Sequence, residues 1–305
     1  MNKVILQRST ISVPSNREKM LIKSLGLNAD FIMYDLEDSV SLEEKDKARR
    51  MLIDFLSSED LQDKVISYRI NEVESPFAYK DVIEVIENVG NKIQSVVIPK
   101  VESERHIIWI DVLLTQIEKS IGLNKKIEIE PSIETAKGVL NIKEIVNASD
   151  RIRSLVFGIA DYTVSLGMFF KGISGHGEEE EFYPGHRFHY PMSAIAVAAK
   201  AKGVLAIDAP YGNFKDLEGL KRSCLISKYL GFDGKWAIHP SQIEIINKVY
   251  SPDEEDIQRC KKIVNIYEES IKTGKGSASI DGRMIDGATY RLAKSILDKA
   301  HKIKG

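Results

Sequence analysis

Eight short apolar runs rich in β-branched residues recur along the chain at intervals of roughly thirty residues, and each closes on polar or turn residues before a helix-like pattern begins. They span Ser9 to Val13, Phe31 to Asp38, Val65 to Glu72, Ser95 to Glu102, Lys126 to Glu134, Ser154 to Asp161, Val204 to Tyr211 and Gly234 to Pro240. This rhythm predicts a (β/α)8 TIM barrel, whose strands are buried on both sides and therefore read as continuous apolar runs. An open doubly wound sheet is the alternative. It rarely needs eight successive strands and usually opens on a glycine-rich turn, whereas the first turn here reads Val13-Pro14-Ser15-Asn16-Arg17. The barrel is complete by Pro240, so the expected organisation is a barrel domain over residues 1–250 and a C-terminal helical extension over 251–305.

Polar residues gather at the C-terminal ends of these runs: Asp35, Glu37 and Asp38; Arg69 and Asn71; Lys100 and Glu102; Glu134; Asp161; Asp208; and His239. Barrel enzymes carry their catalytic groups on that face, so such a ring reads as a site for an anionic substrate with a metal. Helix capping and ion pairing between loops would produce a similar ring. Two consecutive runs finish on a carboxylate, Glu134 in one and Asp161 in the next. If their strands are parallel neighbours, both acids emerge at one edge and can hold a single hard divalent cation through oxygen ligands. Alternatively, each acid simply caps the helix that follows it.

Composition narrows the partners. With 43% apolar and 29% charged residues the chain has material for a large core, and a net charge of −2 offers no basic field for a nucleic-acid backbone. No apolar run is long enough to cross a bilayer and the N-terminus lacks a signal pattern, so no membrane partner is expected and the expected location is cytoplasmic. Cys224 and Cys260 lie in helix-like stretches and are expected as buried thiols, neither disulfide-bonded nor catalytic. Met168 to Pro191 is a long insertion carrying Glu178 to Glu181 and the cluster His186, Arg187 and His189; without cysteines or an H-E-x-x-H helix it does not specify a zinc site.

In the tail, Ser251-Pro252-Asp253-Glu254 predicts a capping box with Pro252 at the first helical position. The helix after it should bury Ile257, Cys260, Val264, Tyr267 and Ile271 and stop at Gly274. A glycine-rich stretch to Gly287 carries Asp281, Arg283 and Asp286, and a last amphipathic helix holds Ile296, Leu297 and Ile303. This extension is expected either to pack on a neighbouring subunit or to cover a site as a lid.

Arg8-Ser9 with Val13-Pro14, Asp35-Leu36-Glu37-Asp38-Ser39-Val40, Lys45 to Arg49, Arg69-Ile70-Asn71, Pro99-Lys100-Val101-Glu102-Ser103, Ile133-Glu134-Thr135 and Gly234-Lys235 with Ile238-His239-Pro240-Ser241-Gln242 together resemble the citrate lyase β-subunit-like family of the HpcH/HpaI aldolases. Ala160-Asp161 in place of a Glu-Asp pair, Ser165 in place of an acid, Gly158 to Tyr162 and the segment Tyr183 to Lys202 are similar to the malyl-CoA / β-methylmalyl-CoA lyase branch.

The resemblance implies a Mg²⁺- or Mn²⁺-dependent carbon–carbon lyase working on an acyl-CoA and a small 2-oxo acid, with CoA as part of the substrate. It implies that Glu134 and Asp161 bind the metal, that Arg69 contacts the developing enolate, and that Asp286 is the general acid/base, with Asp281 as the fallback. That aspartate is often delivered to a neighbouring subunit's site, so a homo-oligomer, a trimer or a hexamer built as a dimer of trimers, is expected. CoA phosphates call for cations beside helix N-termini on the same face, and among Arg17, Lys19, Lys23, Lys45 and Arg49 the expected contacts are Arg17 and Lys45. The related alternatives are a citramalyl-CoA lyase releasing pyruvate, a citrate lyase β subunit acting within a complex, and a noncatalytic acyl-CoA-binding barrel.

Overall fold

The structure is a computed structural model that describes residues 6–168, 176, 187–280 and 282–304. Glu178 to Glu181, Tyr183, His186 and Asp281 lie outside those residues. The described chain forms two compact units, Gln7–Asn247 and a second made of Leu6 with the chain from Lys248 onward.

In the first unit the strands are β1 (Ser9–Pro14), β2 (Phe31–Asp35), β3 (Val65–Arg69), β4 (Ser95–Ile98), β5 (Glu128–Ile133), β6 (Ser154–Phe157), β7 (Leu205–Asp208) and β8 (Gly234–Ala237). Each pairs in parallel with the next and β8 pairs with β1, which closes the sheet into the expected barrel and leaves no edge. Alternate residues point inward, and Met33, Val97, Val156, Ile207 and Trp236 form one buried interior cluster. At the N-terminal ends of neighbouring strands, the buried Glu130 carboxylate accepts from Gln7 Nε2 (2.7 Å), Ser95 Oγ (2.5 Å) and Ser154 Oγ (2.7 Å). Each donor removes part of the penalty of burying that charge.

Helices α1 (Glu18–Ser24), α2 (Lys45–Ser58), α3 (Ala78–Val89), α4 (Glu104–Ile121), α5 (Ala136–Leu140), α6 (Ile142–Asn147), α7 (Ile159–Ser165), α8 (His189–Lys202), α9 (Leu217–Tyr229) and α10 (Ile243–Tyr250) connect and follow the strands. Helix α3 shows why they form: Ala78, Val82, Val85, Ile86 and Val89 recur at helical spacing and make one buried stripe. No described helix is long and apolar enough to cross a membrane.

The strands stop earlier than the apolar runs suggested, because local polar chemistry turns the backbone away. The Asp35 carboxylate accepts from the N–H groups of Glu37 (2.9 Å) and Ser39 (3.1 Å), which folds the chain out of β2. Pro99 supplies no N–H to extend β4. Strand β6 ends at Phe157, so Asp161 lies in the first turn of α7 and not on the strand itself. The insertion after α7 is also shorter than expected, since α8 already begins at His189.

In the second unit, α11 (Glu254–Lys272) is capped by Asp253, which accepts from Asp256 N at 2.7 Å; Pro252 therefore precedes the cap and is not the first helical residue. Ile257 and Cys260 are buried as expected, but Ser270 takes the buried position and Ile271 is half exposed. Gly274, at φ +74°, supplies the left-handed residue that ends the helix. The glycine-rich stretch contains an antiparallel pair, β9 (Ala278–Ile280) with β10 (Arg283–Ile285). It leads into α12 (Gly287–Lys304), where Tyr290 stacks on Tyr267 of α11 with ring centroids 4.8 Å apart. Both thiols are free and buried, Cys224 in α9 and Cys260 in α11, and burial pushes both up in pKa.

Candidate active site

The C-terminal mouth of the barrel is built around Arg69, the last residue of β3. The in-register neighbour of Arg69 on β2 is Asp35. The guanidinium grips it with two bonds, Nε to Oδ1 at 2.7 Å and Nη2 to Oδ2 at 2.6 Å, while Nη1 lies 3.0 Å from Glu37 Oε2 and 3.6 Å from Asp38 Oδ2. Its charge also lies over the Trp236 ring, 5.7 Å from the centroid. Burial pushes the Asp35 carboxyl up, but the Arg69 charge and hydrogen bonds more than reverse this and hold it at about 2.

Because a buried pair is costly to break from one side, Asp35→Asn is expected to destabilise the protein by about 3–5 kcal/mol, read from denaturant unfolding at neutral pH. The sign of the acid dependence follows from the depressed carboxyl. Its stabilisation is complete above the unfolded value of 3.8 and is lost as pH falls through about 2. That contribution, about 2–3 kcal/mol, should be missing from the acid limb of the variant.

Strands β5 and β6 are parallel neighbours, with Ile133 opposite Phe157, so Glu134 and Gly158 leave the sheet side by side. Glu134 is buried, and its Oε1 accepts the main-chain N–H of Lys100 at 2.5 Å. It is not a helix cap: Thr135 caps α5 by accepting from Gly138 N at 3.0 Å. Burial pushes the Glu134 carboxyl up to about 7; Arg69 opposes the rise and the negative charge of Asp161 adds to it. Asp161 is half-buried, raised mainly by burial, with Lys100 Nζ 3.9 Å from its Oδ1. The two acids and Arg69 therefore share one electrostatic neighbourhood.

Lys100 Nζ also lies 2.7 Å from both Glu37 Oε1 and Glu72 Oε1, and these carboxylates hold its ammonium above the ordinary lysine range although burial works the other way. Gly158 is a residue that sequence reasoning left without a role. A Cβ there would sit 1.9 Å from Glu134 Oε2 and 2.3 Å from Glu134 Cβ, so the glutamate crosses ground that any side chain would fill. The only signal in the sequence was a glycine directly after an apolar strand.

Other strand-end polar groups are structural. Asn71 donates to Asp81, which is also paired with Arg49 at 2.9 Å, and Glu102 pairs with Lys137 at 3.1 Å. Asp208 belongs to a buried cluster with Lys235 Nζ at 2.6 Å and His176 Nε2 at 2.7 Å. His239 caps the turn after β8 and stacks on Phe214.

Lys45 is buried, and its Nζ donates to the carbonyls of Leu36 (2.9 Å) and Glu37 (2.6 Å). Its ammonium satisfies the β2 loop, where the sequence led to the expectation of a CoA phosphate contact. Arg17, in contrast, is exposed at the N-terminus of α1. Asp286 belongs to the second unit, where its Oδ1 accepts from the N–H groups of Ala288 (3.0 Å) and Thr289 (2.9 Å) at the start of α12. Those backbone bonds hold it below the usual carboxylate range. Clefts also open at the N-terminal ends of the strands, one lined by Ile86, Gly90, Ile121 and Leu123. The site is placed at the opposite end, where Arg69 and Glu134 are buried together.

The sequence model of the HpcH/HpaI aldolase/citrate lyase family matches residues 8–240, which contain all of the barrel-mouth residues described above. The chain belongs to this family. HpcH/HpaI aldolases and citrate lyases are carbon–carbon lyases. The L-malyl-CoA/β-methylmalyl-CoA lyase of Rhodobacter capsulatus is 35% identical over 98% of this chain and 96% of its own length. The citrate lyase subunit β of Leuconostoc mesenteroides subsp. cremoris is also 35% identical, over 99% of this chain and 95% of its own length. Among solved structures of the family, CitE from Mycobacterium tuberculosis in complex with magnesium, acetoacetate and coenzyme A superposes with a TM-score of 0.77 at 25% identity, covering 96% of this chain and 97% of that one.

Proposed function

We propose that this HpcH/HpaI family member is a Mg²⁺- or Mn²⁺-dependent acyl-CoA lyase. It would cleave, or form, the carbon–carbon bond of a 3-hydroxyacyl-CoA such as L-malyl-CoA or β-methylmalyl-CoA, with glyoxylate and acetyl-CoA or propionyl-CoA as the products. The observation that carries this reading is the placement of Glu134 and Asp161 beside Arg69 at the mouth of the barrel. Two carboxylates are an oxygen-only donor set that suits Mg²⁺, an ion that keeps most of its octahedral positions for water and substrate. When bound, the ion would supply Lewis acidity to the substrate's oxygens.

Arg69 is the preorganised cation for the developing thioester enolate. A guanidinium keeps its charge at every working pH, and Asp35 and Glu37 hold it in place. Arg17 is the candidate for a CoA phosphate. Asp286 is the candidate to move the substrate proton, from its own chain or a neighbour's in a trimer or hexamer, with the C-terminal extension as the lid that excludes water. A cytoplasmic location accords with substrates of this kind.

Supplying malyl-CoA and citramalyl-CoA with Mg²⁺ and identifying the keto acid tests the reading. Glyoxylate supports it, pyruvate alone transfers it to citramalyl-CoA, and no product from either thioester overturns it. Sharing of sites is tested by mixing Asp286→Asn and Arg69→Ala proteins under verified subunit exchange. Recovery of up to about a quarter of wild-type activity is expected when each site draws on two chains, whereas absence of recovery places Asp286 in its own chain's site.

A further inference from the structure

Lys100 touches both candidate metal ligands, by two different groups. It follows Pro99 at the end of β4 and adopts φ +48°, a left-handed backbone that disfavours any residue with a Cβ. This conformation accompanies the 2.5 Å hydrogen bond from its N–H to Glu134 Oε1. Its ammonium is anchored 2.7 Å from Glu37 on the β2 loop and 2.7 Å from Glu72 on the β3 loop, and stands 3.9 Å from Asp161 Oδ1.

We propose that Lys100 is a positioning residue of the metal site: its N–H orients Glu134, and its tethered ammonium competes with a divalent cation for Asp161 and so sets the cation affinity. The inference rests on the metal-dependent reading above. The competition follows from charge and distance. A fixed positive charge about 4 Å from a ligand oxygen repels an incoming dication, and between partly buried groups that repulsion is screened less than it would be in bulk water. A site weakened in this way depends on the substrate's own oxygens to complete it, so cation and substrate bind better together than apart.

Mn²⁺ binding to the full chain without substrate, followed by electron paramagnetic resonance, reads the affinity directly. Lys100→Gln keeps a donor for Glu37 but loses the charge, and is expected to bind Mn²⁺ about tenfold more tightly or better. Lys100→Met is expected to do the same, and Lys100→Arg to stay within about threefold of wild type. A purely structural lysine predicts the reverse, weaker binding as the ligands splay. Unchanged or weaker binding by Lys100→Gln overturns the proposal, as does tightening that persists in Lys100→Gln/Asp161→Asn, which would signal a site made by the mutation. Should Lys100→Met fail to fold, Lys100→Gln decides alone. Wild-type Mn²⁺ binding that survives both Glu134→Gln and Asp161→Asn overturns instead the metal-site reading beneath the proposal.

Discussion

Glu134→Gln and Asp161→Asn are each expected to lower kcat on malyl-CoA by a factor on the order of 10²–10³, the loss typical of removing one preorganised charge-stabilising group from a site. Both changes preserve volume, and the amide of Glu134→Gln still offers an oxygen to the main-chain N–H of Lys100 that Glu134 now accepts at 2.5 Å. The fold should therefore survive, with circular dichroism and the thermal midpoint close to wild type. A noncatalytic acyl-CoA-binding barrel makes the opposite forecast, because its function would be untouched by either change. Steady-state kinetics of the two variants separate the readings, and variants with full turnover would remove the enzymatic one.

Gly158→Ala should be nearly as damaging, for a reason that is steric and not conformational. The backbone there sits at φ −107°, which alanine adopts freely. The added methyl would lie 1.9 Å from Glu134 Oε2 and 2.3 Å from its Cβ, so either the glutamate or the β6–α7 turn must shift. Overpacking of this kind costs about 1–3 kcal/mol in stability. A displacement of about 1 Å in a positioned catalytic group is enough to cost on the order of 10²-fold in rate. Thermal unfolding and kcat measured on the same preparation check both parts. Wild-type kcat in Gly158→Ala would show that the position of Glu134 over this glycine has no bearing on turnover.

Both expectations depend on a pairing that was partly visible in the one-dimensional pattern. The runs ending near Glu134 and Asp161 are consecutive, and in a barrel consecutive strands are neighbours, so a shared edge follows from order alone. The pattern did not reveal that Asp161 stands in the first turn of α7 while Glu134 leaves the sheet directly. Apolar residues continue through Ile159, and hydrophobicity does not register the change from strand to helix at a single glycine.

Charged side chains were less legible still. Lys45, Arg17 and Lys100 look equally available in the sequence, yet the first is buried on carbonyls of the β2 loop, the second is exposed, and the third joins three loops at the mouth. The partners of a long side chain are set by which backbone groups the fold leaves unsatisfied within its reach, and those groups lie on elements remote in sequence. For the same reason Asp208 resembled a site acid but pairs with Lys235 and His176.

The sequence by itself determined the closed eight-stranded barrel and the face on which its strand-end polar residues gather, because burial of both sides of every strand writes a repeating apolar signal into local segments. Only the tertiary structure decided that Asp35 and Glu37 grip Arg69, that Gly158 makes room for Glu134, and that Lys100 reaches both Glu134 and Asp161. Those are contacts between elements whose distances depend on register and packing, and a one-dimensional pattern carries neither.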